Sequence, residues 1–380
     1  MTGEAPASLP EATEPQVTAS DDPLAQILSL TDFQALAERT MDRPSFDYIA
    51  GGSGEEITLR ENVEALRRRR LRSRILVDVT SVDPSTHLLG VPLRMPVGVA
   101  PMAFGHLAHP SAEPAMARAA GQAGVGFSLS TMSSTPLEEV AEAMPDGASR
   151  WFQLYVHRDR AVSHDLVSRA EAAGYSAIVL TADLPVAGYR ERDLRNGLQY
   201  PERFGNFAAE GVAGRPLLEV IGGFNERGLT WRDVTWLSGL TSLPLVIKGV
   251  MSGADAARAV RAGAAGVWVS NHGGRQLDRA PASIDVLDEV VRAVRRHTVA
   301  GRPIEVYLDG GVRRGADVAT ALAMGAQAVF VGRPLGLALA VGGEAGVQRG
   351  LALLRGELLT TMALMGVTSV DGFRRWMVEP

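Results

Sequence analysis

Leu245-Val246-Ile247-Lys248, then Ser252-Gly253-Ala254-Asp255-Ala256-Ala257-Arg258-Ala259-Val260-Arg261-Ala262-Gly263, then Gly266-Val267-Trp268-Val269-Ser270 is the stretch that decides the fold. Both outer runs are short and apolar without clean alternation, which suits strands buried on both faces of an all-parallel sheet. The middle segment is Ala-rich and ends in Gly-Ala, where glycine fits the left-handed stop of a helix. The unit therefore reads strand, crossover helix, strand.

Working outward, six further runs of the same kind appear. They are Val97 to Ala100, Gly126 to Ser130, Trp151 to Tyr155, Ala177 to Thr181, Val306 to Asp309 and Ala328 to Val331. Arg314 to Gly325 repeats the Ala-rich helical pattern. Eight strand–helix units in roughly 250 residues match the size of an α/β (β/α)8 TIM barrel. A doubly wound open sheet is the alternative, but it supplies no reason for eight units. Before the barrel, Leu24 to Ala50 carries apolar residues at helical spacing (Leu24, Ile27, Leu28, then Phe33, Leu36, Ala37), which predicts an N-terminal helical segment. The connection after Thr181 is the longest, running to about Leu243. A long loop there reads equally as a lid over the top face or as disorder. Residues 1–23 are acidic and rich in Pro, Ala and Ser, and read as a flexible tail before one domain spanning 24–380.

Bulk composition narrows the function. The chain has 380 residues, 46% of them hydrophobic and 21% charged, with a formal charge of −5, so neither nucleic acid nor an anionic membrane is expected as partner. The run Arg67 to Arg70, with Arg72 and Arg74 after it, reads as a solvated or ion-paired edge. There are no cysteines, which excludes disulfides, iron–sulfur clusters, thiolate zinc sites and a cysteinyl flavin link. No apolar run reaches the ~18 residues of a membrane span, and the N-terminus lacks the pattern of a secretory signal. A cytoplasmic address is the default expectation.

In such a barrel the active site forms where the strands end. The ends predicted here carry Gln153 and Tyr155, Thr181 with Asp183, Lys248, Ser270-Asn271-His272, Asp309-Gly310-Gly311, and Gly332-Arg333. Six strand ends furnished with polar residues in register form a pattern. Lys248 closes an otherwise apolar strand, which costs desolvation unless an anion faces it. It suits a Schiff base, an anionic cofactor or an internal pair. His272 and Arg275 stand three apart on a glycine-rich turn, one able to take a proton near neutrality, the other to grip a carboxylate with two bonds. Asp309-Gly-Gly-Val-Arg-Arg-Gly and Gly332-Arg333-Pro334 read as a phosphate cradle at the last two strands, with Arg313 and Arg333 supplying charge. The other six histidines show no metal-ligand spacing, and no metal is expected.

These residues resemble the FMN-dependent 2-hydroxy acid oxidase and dehydrogenase family, which includes glycolate oxidase, lactate oxidase and mandelate dehydrogenase. The resemblance runs from about Leu30 to Gly372. Ser-Asn-His-Gly-Gly-Arg-Gln-Leu-Asp (270–278) is highly specific to the family, and Phe-Asp-Tyr-Ile-Ala-Gly-Gly-Ser, Trp-Phe-Gln-Leu-Tyr, Leu-Thr-Ala-Asp and Leu-Asp-Gly-Gly-Val-Arg-Arg-Gly are similar to its other blocks. The resemblance implies His272 as base and Asp183 as the carboxylate orienting it. It implies Arg190, Arg275 and Tyr48 on the substrate carboxylate, and Tyr155 on the hydroxyl or developing carbonyl. For FMN it implies Lys248 at the N1–C2 carbonyl edge, with Gln153, Thr181, Ser130 and Ser270 at the ring system. Pro101, Met102 and Ala103 would pack near N5, and Asp309, Gly310, Gly311, Arg313, Gly332 and Arg333 would hold the ribityl chain and phosphate. A homotetramer is the family's expectation for assembly.

The chain departs from the family at its pocket. Met132 stands where glycolate oxidase has a tryptophan, and Ala187 occupies the site just before Gly188-Tyr189-Arg190. A flexible methionine and a small alanine leave room for a larger apolar or aromatic acid, with L-lactate as the fallback. Three functions compete. An oxidase would pass electrons to O2 and yield hydrogen peroxide, and a dehydrogenase would pass them to a quinone or cytochrome. A non-redox FMN barrel such as an isopentenyl diphosphate isomerase is the third. Absence of a haem domain and of a basic apolar membrane patch between Arg195 and Gly239 favours the first, as does Ala103. Arg190, Arg275 and His272 together argue against the third.

Overall fold

A computed structural model of the chain describes residues 23–199, 204–207, 215–298 and 303–379. Among these residues eight parallel strands close into a barrel. In chain order they are β1 (Val97–Val99), β2 (Gly126–Ser130), β3 (Arg150–Leu154), β4 (Ala177–Thr181), β5 (Leu245–Val250), β6 (Gly266–Val269), β7 (Glu305–Leu308) and β8 (Ala328–Val331). Neighbours follow chain order around the ring, and β8 pairs with β1 to close it. All eight predicted runs are strands, shifted by at most a residue or two at their ends. The predicted crossover helices are present as Gly253–Arg261 and Gly315–Ala323.

The strand period of two explains how one sequence builds both a core and a site. Phe152, Ile178, Leu180, Ile247, Val267, Val269, Leu308 and Val329 point outward and pack into the large core under the helices. The alternate positions Trp151, Val179, Val246, Trp268, Tyr307 and Phe330 point inward and fill the barrel. Trp268 lies 3.9 Å from Phe330 and 6.2 Å from Trp151 between ring centroids. Each such side chain contributes about 1.5–3 kcal/mol through burial. One step further along the same inward rows stand Gln153, Thr181, Lys248, Ser270 and Asp309, above this apolar plug. Register brings them side by side: Ser130 pairs with Gln153 and Thr181 with Lys248.

The N-terminal helical segment is built of two helices. α1 (Asp32–Thr40) ends at Met41, whose backbone is extended, and α2 (Arg43–Ala50) starts afresh from Asp42, whose carboxylate accepts the Ser45 N–H. Pro44 in the first turn of α2 suits a start and not a helix interior. Residues 23–26 form turns, so the helical reading from Leu24 is too long by about two turns at its start. α3 (Ile57–Arg68) follows, and its arginine run is ion-paired: Arg67 with Glu64, Arg68 with Glu61, Arg69 with Asp285. After β4, the described parts of the long connection hold helices at Glu191–Arg195, Leu217–Phe224 and Trp231–Ser238. The tail reading, Pro23 apart, lies outside the described residues. Among the described residues no helix is long and apolar enough to cross a membrane.

Candidate active site

A cleft of about 1090 Å3 opens at the C-terminal ends of the strands. Its wall takes in Tyr48 from α2, Pro101, Met102 and Ala103 after β1, Ser130 and Met132 at β2, and Tyr155 after β3. Thr181, Arg190, Lys248, His272, Arg275, Asp309, Gly310, Gly311, Arg313, Gly332 and Arg333 complete it. Four of the residues singled out in the sequence stand outside this wall. Asp183 lies behind His272, Gln153 beneath Thr131, and Ser270 beneath Lys248 and His272. Ala187 packs on an apolar cluster of Tyr48, Phe104, Met132, Leu184, Phe204 and Val220 that backs the mouth.

His272 occupies left-handed backbone, φ 58°, in a turn capped by Asn271, whose side chain accepts the Gly274 N–H. Its Nδ1 lies 2.9 Å from Asp183 Oδ1. A carboxylate accepts only, so Nδ1 carries the proton and the Nε2 lone pair faces the cleft, 3.4 Å from the Tyr155 hydroxyl. Burial lowers the His272 pKa below its usual value, Asp183 opposes this, and nearby Lys248 adds to it, leaving the ring neutral at pH 7. Burial pushes the Asp183 carboxyl up, but His272 and Lys248 outweigh it and hold it low, hence ionised. Burial, with Asp183 beside it, raises Tyr155 far above the usual phenol range, so it stays a donor. The fit depends on Gly249 in a bulge of β5: a Cβ there would come within 2.6 Å of the Asp183 Cβ.

Cations gather around this pair. Arg190 is 4% exposed, its nearest carboxylate among the described residues is Asp193 at 3.8 Å, and burial lowers its pKa to about 10. Arg275 donates from Nη1 to the carbonyls of Tyr48 (2.6 Å) and Gly51 (3.1 Å) and lies 4.8 Å over the Tyr48 ring. Both carbonyls are at the end of α2, the negative pole of a helix. Arg313 is also lowered to about 10 by burial, and Arg333 well below its usual value, by burial first and then by neighbouring Arg275. Arg333 donates from Nη2 to the Gly51 and Gly273 carbonyls, while its Nε has no partner among the described residues. The cleft therefore gathers four arginines that call for anions, Arg275 and Arg333 meeting at the Gly51 carbonyl. In the same wall Lys248 donates to Ser270 Oγ (3.0 Å) and stands 3.6 Å from Asp309.

A family model described as FMN-dependent dehydrogenase matches residues 37–380. The chain belongs to the FMN-dependent dehydrogenase family. It is 46% identical to an L-lactate oxidase from Nostoc sp. over 90% of this chain and 96% of the relative. It is 46% identical to glycolate oxidase 1 from Oryza sativa subsp. indica, over 93% and 95%. A solved mandelate oxidase with (S)-4-hydroxymandelic acid superposes with a TM-score of 0.85 at 43% identity, covering 93% of this chain and 98% of that one. Members of this family are oxidoreductases acting on the CH–OH group of hydroxy acids, and their cofactor is FMN. The cleft fits that group. Gln153 Nε2, Thr181 Oγ1, Asp309 Oδ1 and Arg333 Nε are buried and lack hydrogen-bond partners among the described residues, as a polar ring system and a ribityl phosphate would require. Gly311 (φ 90°) lies so close to α3 that any Cβ would overlap the Asn62 carbonyl.

Sequence reasoning missed several contributors. Leu184, Gly273 and Val312 line the cleft, Phe104 and Phe204 back its mouth, and Gln276 braces the base, donating to the Asp183 and Val186 carbonyls. Gln276 was within reach, since it belongs to the same motif as His272. The two phenylalanines carried no local signal.

Proposed function

We propose that the protein oxidises an L-2-hydroxy acid with a medium to large apolar or aromatic side chain to the 2-oxo acid, passing the electrons to O2 as hydrogen peroxide. The observation that carries this reading is the neutral His272, backed by Asp183, facing buried Arg190 and Arg275 across the Tyr155 hydroxyl. FMN, when bound, accepts the two electrons of the oxidation and delivers them to O2. Lys248, Thr181, Gln153, Ser130, Ser270 and the 101–103 backbone would hold its ring system, and Asp309, Gly310, Gly311, Arg313, Gly332 and Arg333 its ribityl phosphate.

Arg190 and Arg275 bind the substrate carboxylate, with Tyr48 against it, and two planar forks fix its orientation as well as its charge. His272 Nε2 takes the hydroxyl proton, and Asp183 stabilises the imidazolium that forms. Tyr155 stays protonated and donates to the oxygen as it becomes a carbonyl. Met132, Leu184 and the Phe104–Phe204 cluster give the substrate side chain an apolar wall, with Ala187 behind it. An aromatic acid bound to the related mandelate oxidase supports the size of side chain, and the lactate oxidase relative supports L-lactate as fallback. A cytoplasmic homotetramer is the setting we take with it, the location by default and the assembly on the family resemblance.

The test is anaerobic mixing with a panel of L-2-hydroxy acids, followed by admission of air. Bleaching of the flavin band fastest with L-mandelate or L-phenyllactate, and quick recovery in air, is expected. Glycolate as the best substrate would refute the size argument. Bleaching with slow recovery would mean a quinone or cytochrome acceptor, and no bleaching a non-redox barrel.

A further inference from the structure

Behind the segment Ala100–Phe104 lies a second, small cavity that the hydroxy acid chemistry does not employ. Ala108, Met116, Phe127, Gly336 and Leu339 line it beyond that segment. Ala100, Met102 and Ala103 line both this cavity and the cofactor cleft. Met102 forms the partition: a Cβ on Gly336 would stand 3.1 Å from its sulfur, and one on Gly332, at the cleft, 3.8 Å. A thioether on three rotatable bonds is a wall that yields easily.

The chemistry of the lining selects its occupant. Glu113 is fully spent, with Oε1 accepting from the Gly105 and Ser134 N–H groups (2.8 and 2.9 Å) and the Ser134 hydroxyl (3.2 Å), and Oε2 from the Thr135 hydroxyl (3.2 Å). Ser130 Oγ accepts the Met132 N–H. Ser128 Oγ alone of these polar groups has no partner among the described residues. A buried water needs about two to four polar partners, whereas apolar voids stay dry and admit small apolar molecules. None of the described residues that line the cavity is cationic, so a hydroxy acid carboxylate has no reason to enter.

We propose that this cavity binds dioxygen and feeds it past Met102 to the cofactor cleft. The inference rests on the oxidase reading given above. In that reaction O2 takes two electrons from the reduced FMN together with two protons and leaves as hydrogen peroxide, while the cavity holds O2 and exchanges no electrons. The two substrates then arrive by different walls, the hydroxy acid at Arg190 and Arg275, and O2 behind the 100–104 segment.

Crystals of the FMN-loaded protein under xenon pressure should show xenon between Met102, Phe127 and Leu339. Ala108→Leu and Leu339→Phe fill the cavity at two residues that have no assigned part in binding or catalysis. In stopped flow each should lower the second-order constant for reoxidation by O2 about tenfold, as expected when encounter and not chemistry is obstructed. Reduction by the hydroxy acid, and reoxidation by ferricyanide, which as an anion is barred from the cavity, should stay unchanged. Absence of xenon, or an O2 constant unaltered in both variants, would overturn the site while leaving the oxidase reading intact. Slow reoxidation of the unaltered protein in air would instead overturn the oxidase reading, and the dioxygen site with it.

Discussion

Asp183→Asn retains the shape of the Asp183–His272 pair and removes its charge. At the 2.9 Å separation of Oδ1 and Nδ1, a full ion pair would be worth about 6 kcal/mol at an effective dielectric of ~20. The amide oxygen keeps part of the hydrogen bond, and hydrogen bonds to charged groups contribute about 1.5–3 kcal/mol net. Only the imidazolium formed during proton transfer loses this, since the resting ring is neutral. Substrate-driven flavin reduction should therefore slow about 10- to 150-fold, with little change in substrate affinity. The pH profile carries a second signature. Asp183 is the contribution that raises His272, so without it burial and Lys248 lower the ring further. The base works when neutral and fails as pH falls through its pKa, so the acid limb of the variant should move to lower pH. The assay is anaerobic stopped flow across pH, with the flavin spectrum confirming that FMN stays bound. Reduction at the normal rate, or an acid limb moving to higher pH, would refute Asp183 as the partner that stabilises the imidazolium.

Arg190→Met should lower kcat/KM for the hydroxy acid about 10- to 150-fold through KM, by removing a charged carboxylate contact; steady-state kinetics checks this, and an unchanged KM would place Arg190 in the structure alone. Lys248→Met leaves Asp309 buried and without its cation, a change that costs about 3–5 kcal/mol; thermal melting should fall clearly and FMN should be lost on dialysis. Gly311→Ala should cost far more stability than Gly90→Ala, although both sit at left-handed φ, because a Cβ at Gly311 overlaps the Asn62 carbonyl and one at Gly90 meets nothing within 4 Å; paired urea melts make the comparison, and equal losses would show that φ alone sets the cost.

The barrel was legible because a strand buried on both faces needs an apolar run, and eight such runs are hard to mistake for anything else. Its site was legible for a related reason. A lysine, an aspartate and a histidine at the ends of such runs violate the local rule, and only an occupied cleft compensates them. The break between α1 and α2 was concealed because apolar spacing continues across it, while Asp42 and Pro44, which make it, count as ordinary helix-start residues only once the break is known. Phe204 joins Phe104 through the tertiary path of the long connection, which no periodicity records. Ala187 illustrates the converse: adjacency to Arg190 in sequence pointed to the pocket wall, yet its methyl group packs behind it.

The indole plug beneath the cleft has an optical consequence. Trp151 and Trp268 are two of the five tryptophans, both fully buried, and Phe330 both lines the cleft and touches Trp268. Emission from indoles overlaps absorption by oxidised flavins, so excitation of these two residues should drain into the bound chromophore instead of being radiated. Ultraviolet fluorescence thus becomes a gauge of cofactor occupancy internal to the protein, dim when loaded and bright when stripped, with no label attached.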